Sequence, residues 1–132
     1  RRAGTASDGA WSQALRLNAM GDDGTVWIAR PFLTGDACPR LVTVSFELYS
    51  SSASSVNNWH VVGLVSADRP ETQSDFWPEH DLGLTDQVAG WMTYSFTALV
   101  VPQDGAFWVA VGVKATSEFE RTYYIDNITV SY

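Results

Sequence analysis

Cysteine is all but missing. Cys38 is the single one in 132 residues, so no internal disulfide can form and a small disulfide-dense scaffold is excluded. Histidine is scarce too. His60 and His80 stand in no zinc-ligand spacing, and Cys38 has no CxxC partner, so a metal-hydrolase or redox reading has no support. The chain has no G-x-S-x-G elbow and no phosphate loop. No run approaches the ~18 apolar residues of a membrane helix. Basic residues number eight against fifteen acids, and they are scattered. The resulting net charge of −7 argues against nucleic acid and anionic membranes as partners, because phosphate binding needs concentrated Lys and Arg. It suits neutral ligands or cations. Arg1 and Arg2 are followed by small and polar residues without an apolar h-region, so the opening reads as an excised domain or a mature form.

What is present describes an ordinary globular chain. Hydrophobic content is 45% and charged content 17%, and residues 1–132 suit a single domain. The aromatic share of 13% includes six tryptophans, more than a small core needs, so some of them have surface work to do.

Alternation gives the secondary structure. Val42, Val44, Phe46 and Leu48 point one way along residues 41–50, with Thr43, Ser45, Glu47 and Tyr49 opposite. Met92, Tyr94, Phe96 and Ala98 share a face, as do Phe107, Val109, Val111 and Val113, across a turn at Pro102-Gln103-Asp104-Gly105. Residues 11–20 fit a strand or one helical face. The strand is preferred because Gly21-Asp22-Asp23-Gly24 follows as a hairpin-type loop and residues 25–30 return, Val26 and Ile28 on one face, Trp27 and Ala29 on the other. Residues 31–39 read as a connection, 50–58 as an exposed loop, 59–66 as a strand and 67–87 as a long irregular segment. Six or seven short strands and no helix predict an all-β antiparallel sandwich.

The last strand, 122–132, breaks its pattern at Asp126-Asn127. A charge between apolar neighbours requires hydrogen bonds, a metal or a bulge. A tryptophan opening a strand at Trp91, a turn, an apolar strand and then Tyr123-Tyr124-Ile125-Asp126-Asn127-Ile128-Thr129-Val130 resembles the end of a carbohydrate-binding module of the galactose-binding-like jelly-roll type. The resemblance covers residues 91–132 and, more loosely, 11–66. It implies a jelly roll, non-catalytic carbohydrate binding, and a place as an accessory domain in a larger secreted, multidomain protein. It also implies a structural calcium, since Asp126 resembles an aspartate that serves such a site with N-terminal residues. Asp8, Asp22 and Asp23 are the N-terminal acids available, and the family's N-terminal glutamate has no counterpart here. The alternative is that Asp126 caps backbone amides in a bulge.

A sugar offers a C–H face to an aromatic ring and a belt of hydroxyls to planar polar groups. Asn57-Asn58-Trp59-His60 has that composition at a loop–strand junction, and Asp75-Phe76-Trp77-Pro78-Glu79-His80 has it within the long segment; the two are expected to converge. The competing expectation is that Trp59 and Trp77 pack onto the sandwich edge. A second candidate is a sheet-face groove of Trp27, Glu47, Tyr49 and Trp108, if their strands share a sheet. Trp91 reads as structural. Fifteen acids offer many pairs for glycoside hydrolysis and single out none, so the expectation is no enzyme. A structural or protein-interaction sandwich that binds no sugar is the competing function.

Overall fold

A computed structural model describes residues 2–3, 11–17, 23–53, 59–116 and 120–132. In order, the strands are β1 (Arg2–Ala3), β2 (Trp11–Leu17), β3 (Asp23–Leu33), β4 (Arg40–Ser50), β5 (His60–Ser66), β6 (Asp81–Leu84), β7 (Gly90–Val100), β8 (Ala106–Thr116) and β9 (Arg121–Ser131). They form two antiparallel sheets, ordered β1-β2-β9-β4-β7 and β3-β8-β5-β6. One 3₁₀ turn, Gln73–Asp75, lies between β5 and β6. The chain is an all-β sandwich.

The central strands carry the clearest alternation. In β4, Val42, Val44 and Phe46 are fully buried, and in β8 Phe107, Val111 and Val113 are nearly so. These inward rows face one another and, with Leu15, Leu17, Val61, Tyr123 and Ile125, form one core shared by both sheets. Burying each such side chain contributes ~1.5–3 kcal/mol, which is why these strands occupy sheet centres. Gly63 faces inward in β5 because Phe96 fills the space beside it; a Cβ there would collide with the Phe96 ring and come within 2.8 Å of Leu82.

The structure departs from the expectation in two places, the pairing of β2 and β3 and the length of β3. Residues 11–17 and 25–30 are strands, but they are no hairpin: β2 pairs with β9 and β3 with β8, so the chain crosses from one sheet to the other. The three closing strands do not lie side by side. β7 and β9 flank β4, while β8 lies in the opposite sheet. Alternation dictates which face a side chain takes; it is silent on which strand lies alongside. Finally, β3 runs on through Pro31 to Leu33, where a connection was expected. Among the described residues β3 pairs only with β8, and an edge strand tolerates the missing proline N–H. The turn before β8 is as expected, with Asp104 and Gly105 both at positive φ.

In β9 the register against β4 slips between Ser45↔Thr129 and Glu47↔Asp126, which places an extra residue on β9. Asn127 takes φ 49°, and its amide donates to Asp126 Oδ1 at 2.8 Å. The bulge resets the alternation. Tyr123 and Ile125 point inward before it, and Val130 packs on the core after it.

Candidate functional site

The segment between β5 and β6 covers the outer face of the four-stranded sheet. Phe76, fully buried, sits over Trp27 at 4.9 Å between ring centroids, in a second apolar cluster with Val62, Leu64 and Ala110. A capped turn fixes this segment. Asp75 Oδ2 accepts the amides of Thr72 (2.8 Å) and Glu71 (2.9 Å), which hold its carboxyl below the usual range. The next residues carry Trp77, half-buried, with the Trp77–Pro78 peptide cis.

Trp77 is the centre of a mixed cluster. The Lys114 ammonium lies 4.6 Å from its ring centroid, and the His60 ring stands 4.4 Å away at 61°. His60 Nδ1 is 3.0 Å from Asp81 Oδ2, and Asp81 Oδ1 accepts the Gly83 amide at 2.9 Å. The side chains of His60 and Asp81 are about one-third exposed, at 32% and 34%. The two sequence stretches therefore meet through His60 and Trp77. Their neighbours do not join them. Trp59 is buried against Tyr123 with the Arg121 guanidinium 5.1 Å from its ring, and Phe76 is buried on Trp27. Asn58 and Asn57 lie outside the described residues.

The sheet-face groove does not form. Trp27 and Trp108 belong to the four-stranded sheet, whereas Glu47 and Tyr49 belong to the five-stranded one, so the pairs lie on opposite outer faces. Trp108 has the Arg69 guanidinium 5.5 Å from its ring. Tyr49 instead joins Trp91 (5.4 Å) and Tyr124 (6.1 Å), an aromatic row made by cross-strand register. Glu47 Oε2 accepts from Asn127 Nδ2 at 2.6 Å. Asp126 thus has the bulge-capping geometry that was one of its two expected roles. Its proposed calcium partner Asp8 lies outside the described residues. Asp126 and Glu47 are neighbours by register, and among the described residues no group of three or more His, Cys, Asp or Glu side chains is gathered there.

Two features carried no sequence expectation. The first is a cleft of about 600 Å³ between β3 and β9. Its floor is Ile28, Phe32, Val109, Val111, Ile125 and Val130, and Gln13, Arg30, Asp126 and Asn127 stand around it. A signal for it exists. Arg30 interrupts the inward row Val26-Ile28-Phe32 of β3, and Gln13 opens the inward row Leu15-Leu17 of β2. A polar residue on a core-facing row marks where that row meets solvent. The second is a buried polar network. Asp86, 2% exposed, accepts from Thr85 Oγ1 at 2.8 Å and from the Tyr123 hydroxyl, and lies 3.5 Å from Arg121 Nη1. Burial first, then the hydrogen bond to Asp86, pushes the Tyr123 phenol far up.

Compared with models of protein families, with curated proteins and with solved structures, the chain matches none of them.

Proposed function

We propose that this chain is a non-catalytic carbohydrate-binding module of the galactose-binding-like jelly-roll type, accessory to a larger extracellular protein. The observation that carries the reading is the half-buried indole of Trp77, with Lys114 and His60 against it and Asp81 bonded to His60. A cation over the ring contributes ~0.5–2 kcal/mol and fixes the platform before any ligand arrives. The sugar's C–H face stacks on the indole. With Nδ1 engaged by Asp81, His60 Nε2 is the ring atom left for a sugar hydroxyl. A preformed site of this kind needs little rearrangement on binding.

Intrinsic tryptophan fluorescence, titrated with a panel of soluble oligosaccharides and polysaccharides, tests this. A saturable change with one sugar class, lost in Trp77→Ala and weakened about tenfold or more in His60→Ala, supports the site. A flat response from the folded protein across the panel overturns it. Repeating the titration and a thermal melt with calcium tests the Asp126 ion: a higher midpoint supports it, and an unchanged midpoint at millimolar calcium removes it from the reading. A protein-interaction sandwich is the second reading. The cleft favours it, because that floor is mainly aliphatic and its described lining residues include no tryptophan.

A further inference from the structure

One end of the sandwich is apolar on its outside. The connection from β3 to β4 and the turn from β7 to β8 meet there, and the amides of Thr34 and Gly35 donate to the Gly105 carbonyl at 2.7 and 3.1 Å. Leu41 and Leu99 are cross-strand partners on the outer face, 66% and 69% exposed. The same outward rows continue as Thr43, Ser45, Ser95 and Thr97, so the two leucines depart from a polar pattern. Leu33, 78% exposed, ends β3 at this pole, and Val101 follows β7 there, also exposed. The Tyr132 hydroxyl donates to the Leu33 carbonyl at 3.4 Å, which brings the end of β9 to the same place. Residues 37–39 of the connection, Ala37, Cys38 and Pro39, are exposed and uncharged. Among the described residues, the other large apolar side chains left exposed are Val88, which precedes β7 at the opposite end, and Ile128, which lines the cleft.

From this we infer that the apolar pole is an interface between two copies of the chain, packed end to end about a two-fold axis. Two observations select a second copy. The first is area. The exposed apolar surface here is on the order of 500 Å², in the upper part of the ~300–600 Å² that a monomer's largest patch reaches, and its polar rim takes it toward the ~800 Å² per partner of a standard interface. The second is charge. Arg40 Nη2 is bonded to both carboxylate oxygens of Asp36, at 3.0 and 3.2 Å, and its guanidinium lies 5.9 Å from the Tyr132 ring centroid. The ion pair is complete within one copy, so the aliphatic centre meets its own image and brings no unpaired cation into the contact, as an isologous patch requires. A lipid surface is the poorer occupant. Arg40 is already engaged, Asp104 stands at the turn beside the patch, and the net charge is −7, so nothing here holds an anionic head group. The contact also leaves the Trp77 site open. Lys114, against that indole, lies eight residues along β8 from Ala106, ~27 Å at the rise of a strand. The pair therefore carries its two Trp77 sites at its far ends, and a surface bearing many copies of one sugar is held twice. That consequence rests on the sugar-binding reading; the interface itself does not.

Sedimentation equilibrium of the full chain, from micromolar to millimolar concentration, tests the interface. The expected result is a reversible monomer–dimer equilibrium that tightens with added salt, because each copy carries a charge of −7 and screening lowers their repulsion. Leu41→Asp and Leu99→Asp, at exposed positions, should keep the wild-type thermal midpoint and weaken the dimer about tenfold or more. Val88→Asp, exposed at the other end, should leave it unchanged. In ¹⁵N spectra recorded on dilution, the amides that shift should be those of 33–41, 99–105 and the end of β9. A chain that stays monomeric at millimolar concentration, a dimer indifferent to both leucine variants, dilution shifts confined to another surface, or a dimer that weakens with salt would each overturn the inference. So would a monomer that binds phosphatidylcholine vesicles and loses them in Leu41→Asp, which would make lipid the occupant. A sugar response at Trp77, present or absent, changes none of these outcomes, so the two readings fail separately.

Discussion

Asp86 keeps a carboxylate where solvent hardly reaches, and its neighbours make that tolerable. A lone buried charge costs several kcal/mol, and here it is met by two hydroxyl donors and a guanidinium. Ser50 Oγ accepts the Asp86 amide at 3.3 Å, which ties the loop after β6 to the end of β4. Tyr123 closes the set. Tyr123→Phe leaves Asp86 one donor short and should cost ~1–3 kcal/mol, read as a lower thermal midpoint at pH 7. The pH dependence follows from the same contacts. The phenol is pushed up by burial, so the unfolded chain ionises first, near pH ~10, and the folded form later. The stabilisation is therefore intact below the unfolded value and is lost as pH rises from there toward the folded one. The gap in midpoint between wild type and Tyr123→Phe should narrow above pH ~10 and stay constant between pH ~6 and ~9. A gap constant to pH 11.5 would show that Tyr123 titrates normally.

At the scale of elements, the bulge in β9 decides the most. Without it Val130 would turn outward, because one residue of slip reverses every side chain beyond it. Asn127 holds the left-handed backbone angle that Asn accepts and β-branched residues resist. Asn127→Val should cost ~1–3 kcal/mol, part from φ and part from the lost contact to Glu47. Asn127→Gly should recover the backbone share, and the difference between the two denaturation midpoints measures it. The need for some compensation at Asp126-Asn127 was legible in the sequence, since a charge flanked by apolar residues has few solutions. The inward rows of β4, β7 and β8 were legible for the same reason: period two is local. Partnership was not. Val26 and Ile28 face the core equally well from either sheet, so nothing in residues 23–30 says that β8 is their neighbour. Asp81-Leu82-Gly83-Leu84 is too short and too glycine-broken to alternate, yet it pairs with β5 at the sheet edge. The meeting of His60 and Trp77 was anticipated by composition, while Lys114 beneath the indole was not, because it arrives on β8, which strand pairing sets beside His60.

For the molecule as a whole, the two apolar clusters have different standing. The first joins both sheets, so its loss is global unfolding. The second joins one outer face to the segment carrying Phe76 and Trp77, which can detach while the sandwich persists. Native-state hydrogen exchange should therefore find the amides of Phe76 and His80, which donate to Gln73 and Phe76 carbonyls, opening at lower free energy than those of β4 and β8. Asp75 sets how often this happens. The amide of Thr72, then that of Glu71, lowers its carboxyl pKa, so its contribution is present above the unfolded value of ~4 and is lost as pH falls through the lowered one. Acid below pH ~4 should speed exchange at Phe76 several-fold before the strands respond. Asp75→Asn should do the same at pH 7, with the global midpoint nearly unchanged. A midpoint that falls in step with the exchange would instead put the covering segment inside the cooperative unit. The distinction bears on recognition, because Trp77 directly follows the residue this turn holds in place. A platform that opens by itself binds only in the fraction of time it is closed, so Asp75→Asn should weaken any ligand of Trp77 by the factor by which it lowers the closed population, a measurable loss only once the open form is a substantial share of the molecules.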